Sequence, residues 1–150
     1  MNIDFLYNCP QLAPQVTALL EQAFGMALGE RFYGELTAHS MTPGQLPLTI
    51  AAWEGEALLG TVGLWRTDLL PRQDLTPWLA CLAVQEAHRR RGIGTALQNF
   101  LARAARDMGF ETVYLYTTLV DYYEKTGWVH FDGGYELIDG SAQKIYRLDL

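Results

Sequence analysis

Between residues 82 and 95 the chain reads Leu82-Ala83-Val84-Gln85-Glu86-Ala87-His88-Arg89-Arg90-Arg91-Gly92-Ile93-Gly94-Thr95: an apolar run, a basic turn with two glycines, and the start of an amphipathic stretch. A helix N-terminus presents unpaired backbone N–H groups and a partial positive charge, and Gly92 and Gly94 have no Cβ to keep an anion at a distance. Arg89, Arg90 and Arg91 add formal charge, and adjacent amides in such a turn form a concave nest for anions. The combination suits a multiply charged phosphate ligand, and a pyrophosphate fits it. Two other phosphate loops are excluded. Gly-x-x-x-x-Gly-Lys-Ser/Thr is absent, and the third glycine of the dinucleotide fingerprint falls on Leu97. Glu111 lies at about the right distance for a ribose contact, yet it precedes an expected strand instead of ending one. The plainer alternative is that the glycines only shape a tight turn beside a solvated basic face. That leaves three adjacent, mutually repulsive arginines in an otherwise acidic chain with no structural return.

The elements that must position this turn follow from periodicity. Ile3 to Tyr7 predicts a short strand, and Gln11 to Phe24 carries Leu12, Val16, Leu19, Leu20, Ala23 and Phe24 at helical spacing up to Gly25. A helical piece is expected over Arg31 to His39, then a loop through Thr42, Pro43, Gly44 and Pro47. Leu48 to Trp53 and Ala57 to Trp65 form an expected antiparallel hairpin about Glu54-Gly55-Glu56. After the loop from Asp68 to Pro77, Trp78 to Val84 reads as a central strand covered on both faces. Ile93, Ala96, Leu97, Phe100, Leu101, Ala104 and Met108 then mark the strongest helix, with Gln98, Asn99, Arg103, Arg106 and Asp107 on its polar face and Gly109 as its terminator. A strand over Thr112 to Thr117, a short helix over Val120 to Thr126 closed by Gly127, and strands over Trp128 to Phe131 and Lys144 to Leu148 complete the order.

A chain of 150 residues with 49% apolar content is the size of one compact domain, 1–150, with a sizeable core. Seventeen acidic against eleven basic side chains give a net charge of −6, which disfavours duplex nucleic acid and favours cationic partners. Five of the eleven basic residues are Arg89, Arg90, Arg91, Arg103 and Arg106, so the positive charge is concentrated while the rest of the surface is acidic. Cys9 and Cys81 read as reduced thiols, with Cys81 a packing residue, and the cytoplasm is the expected compartment. No run approaches the roughly 20 apolar residues that span a bilayer, so no membrane role is expected. His39, His88 and His130 lack metal-ligand spacing, and no metal is expected.

Arg89-x-x-Gly92-x-Gly94 after the Leu82-Ala83-Val84 strand resembles the acetyl-CoA motif of the GNAT family of N-acetyltransferases. Tyr122-Tyr123-Glu124-Lys125-Thr126-Gly127-Trp128 is similar to that family's aromatic-Tyr-Glu-Lys-x-Gly-aromatic segment. The resemblance implies an α/β acyl-CoA N-acyltransferase fold with a mixed, mostly antiparallel sheet flanked by helices. It implies acetyl-CoA as co-substrate, its pyrophosphate held by Arg89, Arg90, Arg91, Gly92, Ile93, Gly94 and Thr95 and its pantetheine arm by the backbone of Leu82, Ala83 and Val84. The reaction so implied is transfer of acetyl to a primary amine by direct attack, with the chain acting as a monomer or homodimer. A catalytically silent acyl-CoA-binding or regulatory module is the alternative, and retention of the tyrosine segment favours the enzyme.

Attack of an amine on a thioester expels a thiolate, and a tyrosine, whose reference pKa is near 10, is still protonated at pH 7 and can donate to it. The resemblance places Tyr123 in that role. The family's frequent glutamate on the strand before the turn is missing from Trp78-Leu79-Ala80-Cys81-Leu82, and its frequent asparagine is replaced by Tyr116. Asp68 and Asp74, in the loop leading into that strand, are the candidates for holding the amine and taking its proton. Each is open to the ordinary reading of a solvated loop carboxylate.

Overall fold

The computed structural model describes residues 1–150. Its first strand, β1 (Asn2–Phe5), stops two residues short of the expected Tyr7, because a single 3-10 turn at Leu6–Asn8 carries Leu6 and Cys9 into the interior. A second 3-10 turn at Pro10–Leu12 leads into α1 (Ala13–Phe24), which buries Val16, Leu19 and Leu20 at helical spacing. Gly25, at φ 73°, ends α1 in a conformation that costs glycine little. The helix α2 (Phe32–Ala38) follows, then the hairpin β2 (Leu48–Glu54) and β3 (Ala57–Trp65), whose turn falls at Gly55-Glu56.

After β4 (Trp78–Val84) and a 3-10 turn at Glu86–His88 comes α3 (Ile93–Asp107), then β5 (Thr112–Thr117). Val120 to Thr126 was expected to be a short helix, but only one 3-10 turn forms, at Tyr123–Thr126. Asp121 sits at φ 56°, which an α-helix cannot pass through. The last two strands, β6 (Val129–Tyr135) and β7 (Ala142–Asp149), are longer than the expected Trp128 to Phe131 and Lys144 to Leu148. β6 continues through Gly133-Gly134. A Cβ on Gly134 would lie 2.7 Å from Leu69 Cδ2, so this strand has a glycine where the loop before β4 presses on it.

All seven strands join one sheet in the order β1-β2-β3-β4-β5-β7-β6, with β4 central as expected. Every neighbouring pair is antiparallel except β4 and β5. The helix α1 packs on one face through Val16, Leu19 and Leu20 against Ala51, Leu58 and Ala83. On the other face α3 packs through Ile93, Leu97, Leu101 and Ala105 against Ile50, Leu59, Val62 and Leu79. Coverage of both faces accounts for the near-continuous apolar runs of β2 and β3. The mixed, mostly antiparallel sheet flanked by helices is the fold expected from the sequence.

Two irregularities in β4 shape the site. Thr61 pairs with Ala83 and Gly63 with Ala80, so Val62 stands opposite both Cys81 and Leu82, and Cys81 takes φ 51°. This β-bulge bends the strand. The parallel ladder to β5 holds at one position only, Trp78 with Tyr114. Beyond it the two strands splay, leaving a V with the backbone of Leu82, Ala83 and Val84 on one side. No helix is long and apolar enough to cross a membrane.

Candidate active site

At the open end of the V, Gly92 caps α3 at φ 76° and Arg90 takes φ 62°, so two left-handed residues, one on either side of Arg91, turn the backbone sharply into the helix. Such a backbone aims successive amides at one point, and those of Ile93, Gly94 and Thr95 have no acceptor within the helix. Together with Leu82, Ala83, Val84, Arg89, Arg90, Gly92 and Tyr123, these residues line a cavity of about 800 Å³. Its remaining walls fall outside the expected site residues: Ala23 and Phe24 at the end of α1, His88, Leu119 and Tyr122. Arg91 is the one residue of the expected turn that does not face the cavity. Its guanidinium lies 2.8 Å from His88 Nδ1 and reaches Glu54 at 3.4 Å, which ties the turn to the β2–β3 hairpin.

Tyr123 is half-buried and stands at the junction of this cavity with a second one of about 490 Å³. Its segment is fixed by Gln98, which lies within the core and not on the solvent face of α3 as its place in the helical repeat implies. Gln98 Oε1 accepts hydrogen bonds from Trp128 Nε1 at 3.0 Å and from Thr126 Oγ1 at 2.8 Å. Tyr146 adds a bond to Glu124. The Tyr123 ring stands edge-on to both Tyr122 and Trp128, and its hydroxyl is left for the cavity. Burial, then the neighbouring Tyr122 and Asp68, push its pKa up to about 12, so it holds its proton throughout the neutral range.

Asp68, Cys81, Tyr116 and Tyr123 line the second cavity, and three carboxylates are among its walls: Asp68, Glu136 and Asp139. Glu136 and Asp139 escaped the sequence reading. Nothing in the spacing between residues 68 and 136 connects them. Arg72 makes the closure by bonding both oxygens of Asp74, at 3.0 and 2.9 Å, and Asp132 at 2.9 Å across the β6 edge. Asp74 therefore faces Arg72 outside the cavity, and the structure does not bring it to the site.

Asp68 has a different setting. Burial first, and the Glu136 charge second, raise its pKa to about 7, and no protein cation offsets them. Glu136 accepts a hydrogen bond from Tyr116 Oη at 3.0 Å, which fixes one of its oxygens at the cavity wall. The Cys81 thiol is pushed well above its ordinary range by burial and by Asp68, so it remains an uncharged packing group.

The folded-state pKa of Asp68 lies above its unfolded value near 3.9, so the folded chain binds the extra proton between roughly pH 4 and 7 and loses stability as pH rises through that window. Asp68→Asn should therefore raise Tm relative to wild type at pH 8, and the gap should shrink toward pH 4, where both side chains are neutral. Thermal melts of the two proteins across that range check this. A gap independent of pH would mean that Asp68 ionises without penalty.

The family model described as the acetyltransferase (GNAT) family matches residues 13–128 of the sequence. The chain belongs to the GNAT acetyltransferases. It is an acetyl-CoA-dependent N-acetyltransferase. Among solved structures, the aminoglycoside 6'-acetyltransferase type Ii is 24% identical, with 99% of this chain and 97% of that one covered and a TM-score of 0.77. An aminoglycoside 6'-N-acetyltransferase complexed with coenzyme A is 21% identical over 99% and 97%, with a TM-score of 0.78. An acyl-CoA N-acyltransferase from Pseudomonas aeruginosa is 18% identical over 98% and 99%, with a TM-score of 0.67. At these identities the structural likeness concerns the GNAT fold. None of the curated proteins matches in sequence.

Proposed function

We propose that this GNAT protein transfers acetyl from acetyl-CoA to a primary amine by direct attack, with Tyr123 as general acid and Asp68 as the group that holds the ammonium and takes its proton. The observation that carries the reading is the position of Tyr123. It separates a cavity built on an anion-binding turn from one lined by carboxylates, as the joining of an anionic donor to a cationic acceptor requires. Coenzyme A, as held in this reading, has its pyrophosphate on the amides at the start of α3 and on Arg89 and Arg90. Its pantetheine arm lies along the free edge of Leu82, Ala83 and Val84, and its thioester sits beside Tyr123.

The charged form of Asp68 is favoured once an ammonium pairs with it. After a proton leaves, the amine nitrogen forms a bond to the acetyl carbon. The carbon–sulfur bond then breaks with its electron pair going to sulfur, and the Tyr123 hydroxyl proton passes to that sulfur. The products are an amide and the free thiol. The nitrogen loses its second proton as it becomes the amide, and that proton, relayed by solvent, restores the Tyr123 hydroxyl, while Asp68 releases the first to bulk water. That the amine is a free small molecule is supported by the size of the acceptor cavity, about 490 Å³, and the aminoglycoside-acetylating neighbours share this fold with an amine acceptor.

The test is an assay of thiol release with an amine panel, then kinetics of Asp68→Asn with an accepted amine. The substitution keeps the shape and removes the charge, so the acceptor KM should rise at least about tenfold with acetyl-CoA affinity retained. The rise in kcat/KM through pH 7 should also vanish. Wild-type KM and pH profile in the variant would leave Asp68 without a role, and thiol release that no amine stimulates would favour a silent acyl-CoA-binding module.

A further inference from the structure

The acceptor cavity continues into a chamber of about 370 Å³, and the two share Leu28, Trp65, Asp68, Tyr116, Glu136 and Ile138. This volume falls within the range of small-molecule sites, about 300 to 1,000 Å³. Its chemistry is asymmetric. Asp68 and Glu136 stand where the chamber meets the acceptor cavity, while the far wall is built from Phe32, Leu36 and Pro47. Leu28, Leu70 and Ile138 at its mouth are about half exposed, large apolar groups that the protein itself leaves uncovered. Arg66 is the one cation of the wall. It donates to Leu46 O at 3.3 Å and pairs with no carboxylate.

We propose that the acceptor is a primary amine carried on an apolar body, an aryl or branched alkyl group, which sits in this chamber while its single ammonium lies between Asp68 and Glu136. The inference rests on the reading of the site as one that acetylates amines, and it narrows the acceptor within that class. Arg66 and Thr67 are the polar groups of the chamber's own wall, and against Phe32, Leu36 and Pro47 a polyhydroxylated acceptor would lose hydrogen bonds to water with none returned. A second ammonium carried into the chamber would meet Arg66. An aromatic or branched alkyl group loses nothing there, and it covers the exposed rim.

Initial rates of thiol release, with the native protein at saturating acetyl-CoA, would be compared for 2-phenylethylamine, ethylamine, spermidine and kanamycin. The expected kcat/KM for 2-phenylethylamine exceeds that for ethylamine by at least about tenfold, the discrimination that apolar pockets reach, and exceeds those for both polycations. Leu70→Glu, on the exposed rim and away from the reacting atoms, should narrow the preference of 2-phenylethylamine over ethylamine about tenfold. A higher kcat/KM for spermidine or kanamycin, or a preference unchanged in folded Leu70→Glu, would overturn the chamber's role and leave amine acetylation standing. If none of the four amines stimulates thiol release in a protein that binds acetyl-CoA, the acetylation reading falls and the chamber's acceptor with it.

Discussion

Gly94→Glu should abolish measurable acetyl-CoA binding in a protein that remains folded. Gly94 occupies the first turn of α3 in helical conformation, where a glutamate improves helix propensity by several tenths of a kcal/mol and complements the positive end of the helix. The backbone therefore tolerates the change. A Cβ at this position would lie 3.2 Å from Tyr122 Oη and 3.9 Å from Val84 Cγ2, a contact that the exposed Tyr122 side chain can relieve by a small shift. What cannot be relieved is charge. The new carboxylate would take the amides and arginines that the pyrophosphate needs. Two unit negative charges about 4 Å apart near a protein surface repel by ~4 kcal/mol, on the order of a thousandfold in affinity. Calorimetric titration with acetyl-CoA, alongside a thermal melt to confirm folding, is the measurement. Unchanged affinity in a folded variant would remove Arg89 to Thr95 from cofactor binding.

Tyr123→Phe should lower kcat by about 10² to 10⁴, the usual cost of losing a general acid, with acetyl-CoA affinity nearly unchanged. Only the hydroxyl is lost. The phenylalanine ring keeps the edge-on contacts to Tyr122 and Trp128, so the segment held by Gln98 should not move. The raised pKa of Tyr123 makes the phenol a weaker acid than a free tyrosine. The departing thiolate, however, forms in the same poorly solvated junction, where burial disfavours its charge too and so narrows the mismatch. Single-turnover and steady-state rates at saturating substrates test this. A variant within about twofold of wild type would mean that the thiolate leaves without help from Tyr123.

These two residues were legible in the sequence because each belongs to a local pattern. The basic glycine turn is complete within seven residues, Arg89 to Thr95, and its chemistry depends on backbone direction and neighbouring charge. The helices and the β2–β3 hairpin were legible for the same reason, since their periodicity is local. The acceptor side is not local. Asp68 meets Glu136 because the Arg72 clamp and the glycine at position 134 bring the loop before β4 onto β6, and neither contact leaves a spacing to detect. Asp74 resembles Asp68 in sequence context, yet the same clamp turns it outward. Gln98 was misplaced for a related reason: helical periodicity separates polar from apolar positions but is blind to a buried polar group that another segment satisfies.

The splay between β4 and β5 also bears on how the protein keeps to itself. Unpaired strand edges are templates for adding a strand from another chain, and proteins usually blunt them at the rim of a sheet with charges, bulges or short strands. Here the edges freed beyond Trp78 and Tyr114 face each other inside the sheet, with α1 and α3 packed on opposite faces of β4 and the bulge at Cys81 bending its backbone. An incoming strand would need room for side chains on both faces of its pleat, and the two helices occupy that room. A slender arm with few substituents meets no such obstacle. The same hydrogen-bonding groups are thus open to a thread-like ligand and closed to aggregation.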